Sequence, residues 1–549
     1  MALEAGAEIW FWIVLVAYLA FLAIAGYYAK KKTKTLEDFM VAGRQISPFL
    51  VGLSFGVTYF SAVMIVGGGQ FSWLWGLAVV WIASIDVLVG VFMVFVFFGE
   101  RTKKLGEHFE SMTVPQFLSK RYDEERIRAF TSIVILFFET IYLVSIYMGL
   151  SLLISIIMPG NPYAYPIAVV ICATITIFYL NVGGAHGAIW TDAAEAMIML
   201  VGVILIFIFG IIAVGGFDGL TGTLGQIERD EGYPAGGLTT FLGAGGMGLI
   251  GYILVTSFGV WGMPQMISRF YTAEKKKPLR WALVVSCVWA FVVAIFAWFN
   301  GAIARAYFYR NDRAKYNEIN SGLPWTVGES AVPNLMVAVL PIAIAAIFLA
   351  AVTAASLTTG EKVIMMAASG FSIDVYQRKT GCSDDRALYI TKITTTAVVI
   401  IAVGLALLKI GAVLALCMFA WSAMAAVILV PYVFGLFWKK GTAKAALYCG
   451  VIALIAALAW KLCMRGYDVF YAVGGASGLR IYGILFGQAR SIPVLSSPWL
   501  SFRIGDIHEF IISQVAAVIA FPVISKFTQG SKPSDEFLKE IFDVMTGKR

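Results

Sequence analysis

Residues 355–370 read ASLTTGEKVIMMAASG and sit in an apolar run that begins near Val337. They bring together two adjacent hydroxyls, Thr358 and Thr359, and an adjacent acid and base, Glu361 and Lys362. Two chemistries are open to the threonines. Hydroxyl oxygens joined by backbone carbonyls make a ligand set for a hard cation, but a threonine inside a helix can instead bond back to the carbonyl four residues earlier. Because the pair is adjacent, both can serve one ion only where the helix is distorted or where they approach the ion from two sides. Lys362 also has two outcomes: an internal ion pair with a carboxylate, or a lowered pKa that lets it carry a proton.

Four further acids, Asp86, Glu139, Asp192 and Glu195, fall in apolar surroundings. An ionised side chain at the centre of a membrane helix costs about 2.5–3.5 kcal/mol, so such residues usually face a bundle interior or a watery path. Asp192 and Glu195 stand three apart and share a helix face, where they either meet a specific partner or line a hydrated cavity. Enzyme chemistry finds little support. No HExxH occurs, the three histidines lack a zinc spacing, and the acids lie on separate apolar segments with no nucleophile–base constellation. The six cysteines, Cys172, Cys287, Cys382, Cys417, Cys449 and Cys463, are scattered and imply neither a disulfide framework nor a metal cluster.

The elements that must hold these groups are membrane helices. Of 549 residues 60% are hydrophobic and 13% charged, and apolar runs of about 20 residues, enough for a helix to cross a hydrocarbon core of about 30 Å, recur from end to end. A β-barrel would show short alternating segments instead. The fold class is therefore an all-α polytopic membrane protein. Thirteen spans are expected, at 8–28, 48–72, 76–99, 127–158, 163–181, 186–214, 242–264, 279–303, 333–372, 388–409, 411–436, 444–462 and 506–525. The first follows Glu4 and Glu8 and lacks a basic leader and a small-residue cleavage site, so it reads as a retained helix.

The formal charge of +8 does not point to nucleic acid, because its distribution follows topology. With the N-terminus outside, 29 of the 41 Lys and Arg fall in the loops 29–47, 100–128, 267–280, 375–392 and 437–445 and in the tail, which makes these segments and the C-terminus cytoplasmic. The long segments 215–240 and 464–505, rich in Gly, Pro and polar residues, are then external, since their backbone could not lie unpaired in lipid. The tail after Lys526, about two dozen residues, is too short for a sensor or kinase module.

Two spans are interrupted. The second reads PFLVGLSFGVTYFSAVMIVGGGQF, and the seventh, FLGAGGMGLIGYILVTSFGVWGMPQ, carries five glycines between Gly243 and Gly251 and then Pro264. They stand five spans apart with opposite directions through the membrane. Paired Gly/Pro-interrupted helices point to an inverted-repeat transporter with a midplane binding site, although small residues also serve close helix packing in membranes.

The stretch TLEDFMVAGRQISPFLVGLSFGVTYFSA (35–62) resembles the sodium/solute symporter family, which includes sodium-coupled proline, monocarboxylate, sialic acid and glucose carriers. NVGGAHGAIWTDAAEAMIM (181–199), GMPQMISRFYTAE (262–274), LTTGEKVIMMAASGFSIDVYQ (357–377) and GLFWKKGTAKAA (435–446) carry the likeness in the family's order. The resemblance implies one membrane transporter domain over 1–549. A ten-helix, five-plus-five inverted-repeat core of the sodium-coupled amino acid transporter (LeuT-like) type would occupy 48–436. A peripheral helix at 8–28, two more within 444–525 and a cytoplasmic tail at 526–549 complete it. It implies sodium-driven symport of a small organic solute into the cell by alternating access in the plasma membrane, with the lipid bilayer as surroundings and a monomer sufficient for function.

By the same resemblance, sodium is held by carbonyls of Val57, Phe60 and Ala355 and hydroxyls of Thr358 and Thr359. Asp192 corresponds to an acid near the ion's cytoplasmic exit. Members that bind a second sodium have small hydroxyl residues where this chain has Glu361 and Lys362, so a Lys362–Asp192 pair would stand in for a second ion; protons carried by Lys362 and Glu361 are the alternative. The expected substrate positions are Tyr59, Ser61, Met64, Gly68, Glu139, Tyr142 and Trp261. Tyr59 replaces an aspartate of the proline carriers, while Tyr142 matches a tyrosine they use. An aromatic pocket with few fixed donors suits a neutral amino acid such as proline, or a monocarboxylate, better than a sugar. Glu139 facing that pocket would instead favour a proton-coupled or cation-independent carrier of an amine or quaternary ammonium. A channel, or a non-transporting sensor on the same scaffold, is the remaining class.

Overall fold

The computed structural model describes residues 35–547, apart from 62, 157, 159, 181–183, 242, 244–245, 275–276, 322–325 and 497–500, together with six single positions between 9 and 24. The expected span 8–28 lies outside the described residues apart from those positions. From residue 35 onward, helices follow the apolar runs. Among the described residues, eight helical runs are long and apolar enough to cross a membrane, or nine when a pair bent by 44° counts as one span. Other expected spans are met by shorter or interrupted helices.

Helix α1 (Leu36–Val41) opens on a capping box in which Thr35 accepts from the Asp38 amide and Asp38 accepts from that of Thr35. Helix α2 (Pro48–Tyr59) starts on Ser47 as N-cap with proline in its first turn, where the missing N–H costs nothing. It stops at Phe60, whose backbone is extended (φ −109°, ψ 117°). The chain becomes helical again in wide turns at Met64–Gly68 and continues as α3 (Gly69–Trp75). At Gly76 it reverses with φ +59°; a Cβ there would stand 2.1 Å from the Leu238 carbonyl oxygen, so only glycine fits. Helix α4 (Val80–Ile85) then runs through a wide-turned segment, Asp86–Gly99, into α5 (Glu100–His108).

The next helices are α6 (Glu125–Ser155), α7 (Ala164–Leu180), α8 (Gly184–Ala213) and the non-spanning α9 (Gly216–Glu231). The second interrupted span is α10 (Gly246–Gly259) and α11 (Pro264–Thr272), the pair bent by 44°. After α12 (Arg280–Asn311), the expected span 333–372 is two helices, α13 (Ala331–Val339) and α14 (Ile342–Ser369). Pro341 divides them: it lacks an N–H and drives Leu340 into extended backbone (φ −89°, ψ 146°). Then follow α15 (Asp384–Leu407), α16 (Val413–Phe437) and α17 (Ala443–Arg465). The segment 464–505 contains a 25-residue helix, α18 (Tyr467–Ser491), and a hairpin of β1 (Pro493–Ser496) with β2 (Ser501–Arg503). Helices α19 (Glu509–Phe527) and α20 (Asp535–Thr546) close the chain.

The helices are apolar around most of their circumference, as membrane helices are. Outward-facing Phe137, Ile212 and Ile400 are 62%, 68% and 63% exposed, while inward-facing residues are buried. Helix α2 packs against α8 and α12, α14 against α6 and α8, and α16 against α6. Glycine permits the tightest contacts: a Cβ on Gly56 would lie 2.5 Å from the Trp289 ring, and one on Gly301 2.0 Å from the Gly69 carbonyl oxygen.

Polar contacts gather at two opposite ends. At one, Ile46 N–H donates to Thr272 O (3.1 Å), Glu274 N–H donates to Ile46 O (2.8 Å), and buried Arg44 donates to Ser111 O (2.9 Å) and Glu37 (2.9 Å). Helix α20 packs on α5 at this same end. At the other, buried Arg305 donates to Trp73 O and Glu231, each at 2.7 Å, and Trp73 Nε1 donates to Asn320 Oδ1 at 3.0 Å. The loops expected in the cytoplasm and those expected outside are thus separated.

Candidate functional site

The break after α2 is the centre of the site. A helix that stops leaves its last carbonyls without N–H partners. Here Phe60 N–H still reaches Gly56 O (3.0 Å), and the carbonyl of Val57 is instead met by the hydroxyl of Thr359 from α14, at 3.4 Å. Thr358, the adjacent residue, faces another helix and donates to Glu195 Oε2 of α8 at 2.6 Å. The two threonines therefore address different neighbours from one turn of helix. Ala355 lies one turn before Thr359 in the same helix, its side chain outside the described residues. Phe60, with its ring 4.6 Å from Tyr59 and 5.8 Å from Trp289, forms the cap.

One turn along α14, Lys362 Nζ lies 2.5 Å from Asp192 Oδ1, with both side chains buried. Ser54 of α2 donates to the other oxygen of the same carboxylate. Glu361 is buried beside them. The packing of α14 on α8 joins the two motifs, 357–377 and 181–199, that are far apart in sequence.

On the other side of the break is a cavity of about 30 Å³, roughly the room of one or two water molecules. Of the expected substrate residues, Tyr59, Ser61, Met64 and Tyr142 line it, together with Phe60 from the expected sodium set. Three others do not. Gly68 packs on the Trp298 ring, and Trp261 is turned away, donating Nε1 to Val89 O at 3.0 Å between Phe98 and Phe258. Glu139 is fully buried outside the lining, and neither of its oxygens has a hydrogen-bond partner among the described residues.

The cavity also contains groups that sequence reading left out of the site. Asp86 lines it from the segment after α4, alongside Thr256 of α10, Trp298 of α12, and Cys417, Met418 and Trp421 of α16. Asp86 accepts from Ser257 Oγ at 2.9 Å and from the Thr256 hydroxyl, while Tyr59 OH donates to Thr256 O at 2.7 Å. Trp421 stacks on Tyr59 at 5.7 Å and meets Tyr142 edge-on at 5.9 Å. The available signal was the isolated acid Asp86 and the hydroxyl pair Thr256–Ser257 in the interrupted seventh span. Nothing in their spacing, about 170 residues apart, ties one to the other.

Residues 39–453 match the model of the sodium:solute symporter family. The sodium/proline symporter of Salmonella typhimurium is 25% identical over 484 residues, which cover 87% of this chain and 91% of that one. The sodium/pantothenate symporter of Haemophilus influenzae is 26% identical over 451 residues, 80% and 88% of the two chains. Among solved structures, a sodium-coupled sialic acid symporter in a substrate-bound outward-open state aligns with a TM-score of 0.66 at 20% identity, covering 86% of this chain and 96% of that one. The two share a fold. With its family match spanning both interrupted helices and the Thr358–Lys362 segment, this multi-pass membrane protein belongs to the sodium:solute symporter family, whose members are transporters and not enzymes, and it couples sodium to the movement of a small solute.

Proposed function

We propose that sodium binds where the break after Tyr59 meets α14, and that one sodium ion accompanies each solute molecule inward. The contact between Thr359 Oγ1 and Val57 O, 3.4 Å, carries this reading. Carbonyls at the C-terminal end of a half-helix bear negative partial charge, and with hydroxyls they suit a hard cation without fixing a full anion in the membrane. Phe60 and Ala355 would add carbonyls. Thr358, although it donates its proton to Glu195, keeps lone pairs for the ion. Lys362 supports the single-ion stoichiometry, because its ammonium lies 2.5 Å from Asp192 and already neutralises the carboxylate a second cation would need.

The solute is a neutral amino acid or a monocarboxylate. The aromatic lining supports this, since a sugar would leave several hydroxyls unpaired at about 1–3 kcal/mol each. The bacterial relatives named for proline and pantothenate point to solutes with a carboxylate. The cavity must widen to admit either, which alternating access provides. An external N-terminus and a cytoplasmic C-terminus fit the gathering of basic loops and α20 at one end, and a site built within one chain fits a monomer.

Purified carrier in proteoliposomes, given an inward sodium gradient and labelled amino acids or monocarboxylates, should accumulate solute with sodium and not with potassium. Thr359→Val should raise the sodium concentration for half-maximal uptake about tenfold or more, the loss of one cation ligand being worth at least ~1.4 kcal/mol. An unaltered sodium dependence in that variant would reject the assigned site.

A further inference from the structure

The cavity has an acidic side chain that the sodium site does not use. Asp86 is 2% exposed, and a carboxylate at this depth is costly unless a cation meets it. Among the described residues lining the cavity there is no lysine, arginine or histidine. The hydrogen bonds that reach Asp86 come from hydroxyls, and the Thr256 hydroxyl has one proton to divide between Asp86 and Tyr252 O at 2.9 Å. An ionised carboxylate has about four acceptor sites, so this one retains capacity for a charged donor.

The same cavity has unused donors as well. The indole N–H groups of Trp298 and Trp421 are buried and have no hydrogen-bond partner among the described residues, yet both side chains line the cavity. Indole nitrogen can only donate, so each is suited to an anionic or carbonyl oxygen. The stacked Tyr59 and Trp421 rings add faces that attract a cation. One carboxyl group able to meet a cation, two idle donors and aromatic walls describe a ligand with a cationic and an anionic end.

We infer that Asp86 binds the protonated nitrogen of the solute and that the indole N–H groups of Trp298 and Trp421 take its carboxylate, so that the solute is a small zwitterionic amino acid and not a monocarboxylate. The inference rests on the proposed reading of this cavity as the solute site. It also gives to Asp86, which lines the cavity, the part expected of Glu139, which lies outside that lining.

The test sets each amino acid against one analogue that lacks the nitrogen and one that lacks the carboxylate: L-proline against cyclopentanecarboxylate and pyrrolidine, and L-alanine against propionate and ethylamine. Each is measured for sodium-driven uptake into proteoliposomes and as a competitor of that uptake. The expected result is uptake of an amino acid, with the nitrogen-free and carboxylate-free partners at least tenfold weaker, since a charge-assisted hydrogen bond is worth about 1.5–3 kcal/mol. Asp86→Asn should weaken the amino acid by a similar factor while the purified protein keeps its sodium-dependent rise in melting temperature. Uptake of propionate or cyclopentanecarboxylate at equal affinity, uptake of the bare amines alone, or unchanged amino acid affinity in Asp86→Asn would each overturn the assignment. Failure of sodium to drive any uptake would instead strike the reading on which it rests. The comparison of probes on the unaltered protein decides the matter even where Asp86→Asn does not fold.

Discussion

Lys362 and Asp192 are a case where removing one residue differs from removing two. Each is buried with the other as partner, and deleting one side of such a pair leaves a bare charge, at a cost of about 3–5 kcal/mol. Lys362→Met should therefore lower the melting temperature of the detergent-solubilised protein sharply, and Asp192→Asn should do the same. The double variant should recover much of the loss; additive losses in that cycle would mean the pair is not coupled. The sequence exposed these two residues because charge in an apolar run is conspicuous, and the family motif supplied the partner. The same motifs named Val57 and Thr359, and these two are in contact. Asp86 was visible only as an isolated acid, since its hydroxyl partners come from a helix about 170 residues away. Trp261 and Glu139 were expected at the substrate because of residue type and approximate depth. The direction in which a helix presents a side chain depends on its rotation, which packing sets.

The elements depend on close backbone approach. Gly56→Ala would drive a methyl into the Trp289 ring, and Gly301→Ala would drive one into the Gly69 carbonyl. Each should destabilise by about 1–3 kcal/mol, and Gly301→Ala by more than an alanine at Gly222, which has open space around its Cβ position; equal melting temperatures would contradict the packing described. Breaks in helices were legible from Gly and Pro, but the division at Pro341 was absorbed into one long apolar run, and α18 was obscured by its glycines. Helix α9 carries a pH-sensitive anchor. Burial pushes the Glu228 carboxyl up, but donors at Leu238, Gly236 and Thr239, at 2.7–3.0 Å, outweigh it and hold its pKa below the ordinary value. A carboxylate lowered in the folded state contributes stability above its unfolded pKa of about 4.3 and loses it as pH falls through the folded value. Protease resistance of the segment 232–240 should drop in that acid range and should be low at neutral pH in Glu228→Gln. Equal resistance in the variant would show that the carboxylate does not hold the loop.

At the scale of the whole molecule, the architecture joins two interrupted helices to the Val57–Thr359 contact on one side and the aromatic cavity on the other. The proposed sodium and solute positions share the break after Tyr59: Val57 faces α14, while Tyr59, Phe60 and Ser61 face the cavity. Filling one position stiffens the backbone that lines the other, which is a physical route for coupling. The membrane class and the order of helices were readable from hydropathy and basic loops because both are one-dimensional patterns. The coupling geometry was not, because it arises from contacts between helices distant in the chain. The proposed stoichiometry of one sodium rests on Lys362 occupying the neighbourhood of Asp192. Its most direct test is the sodium-to-solute ratio in proteoliposomes, taken from the solute gradient that balances a set sodium gradient and membrane potential. The expected ratio is one for the unaltered protein, rising toward two in Lys362→Ser. A ratio of two in the unaltered protein, or a ratio unchanged by the substitution, would contradict the account.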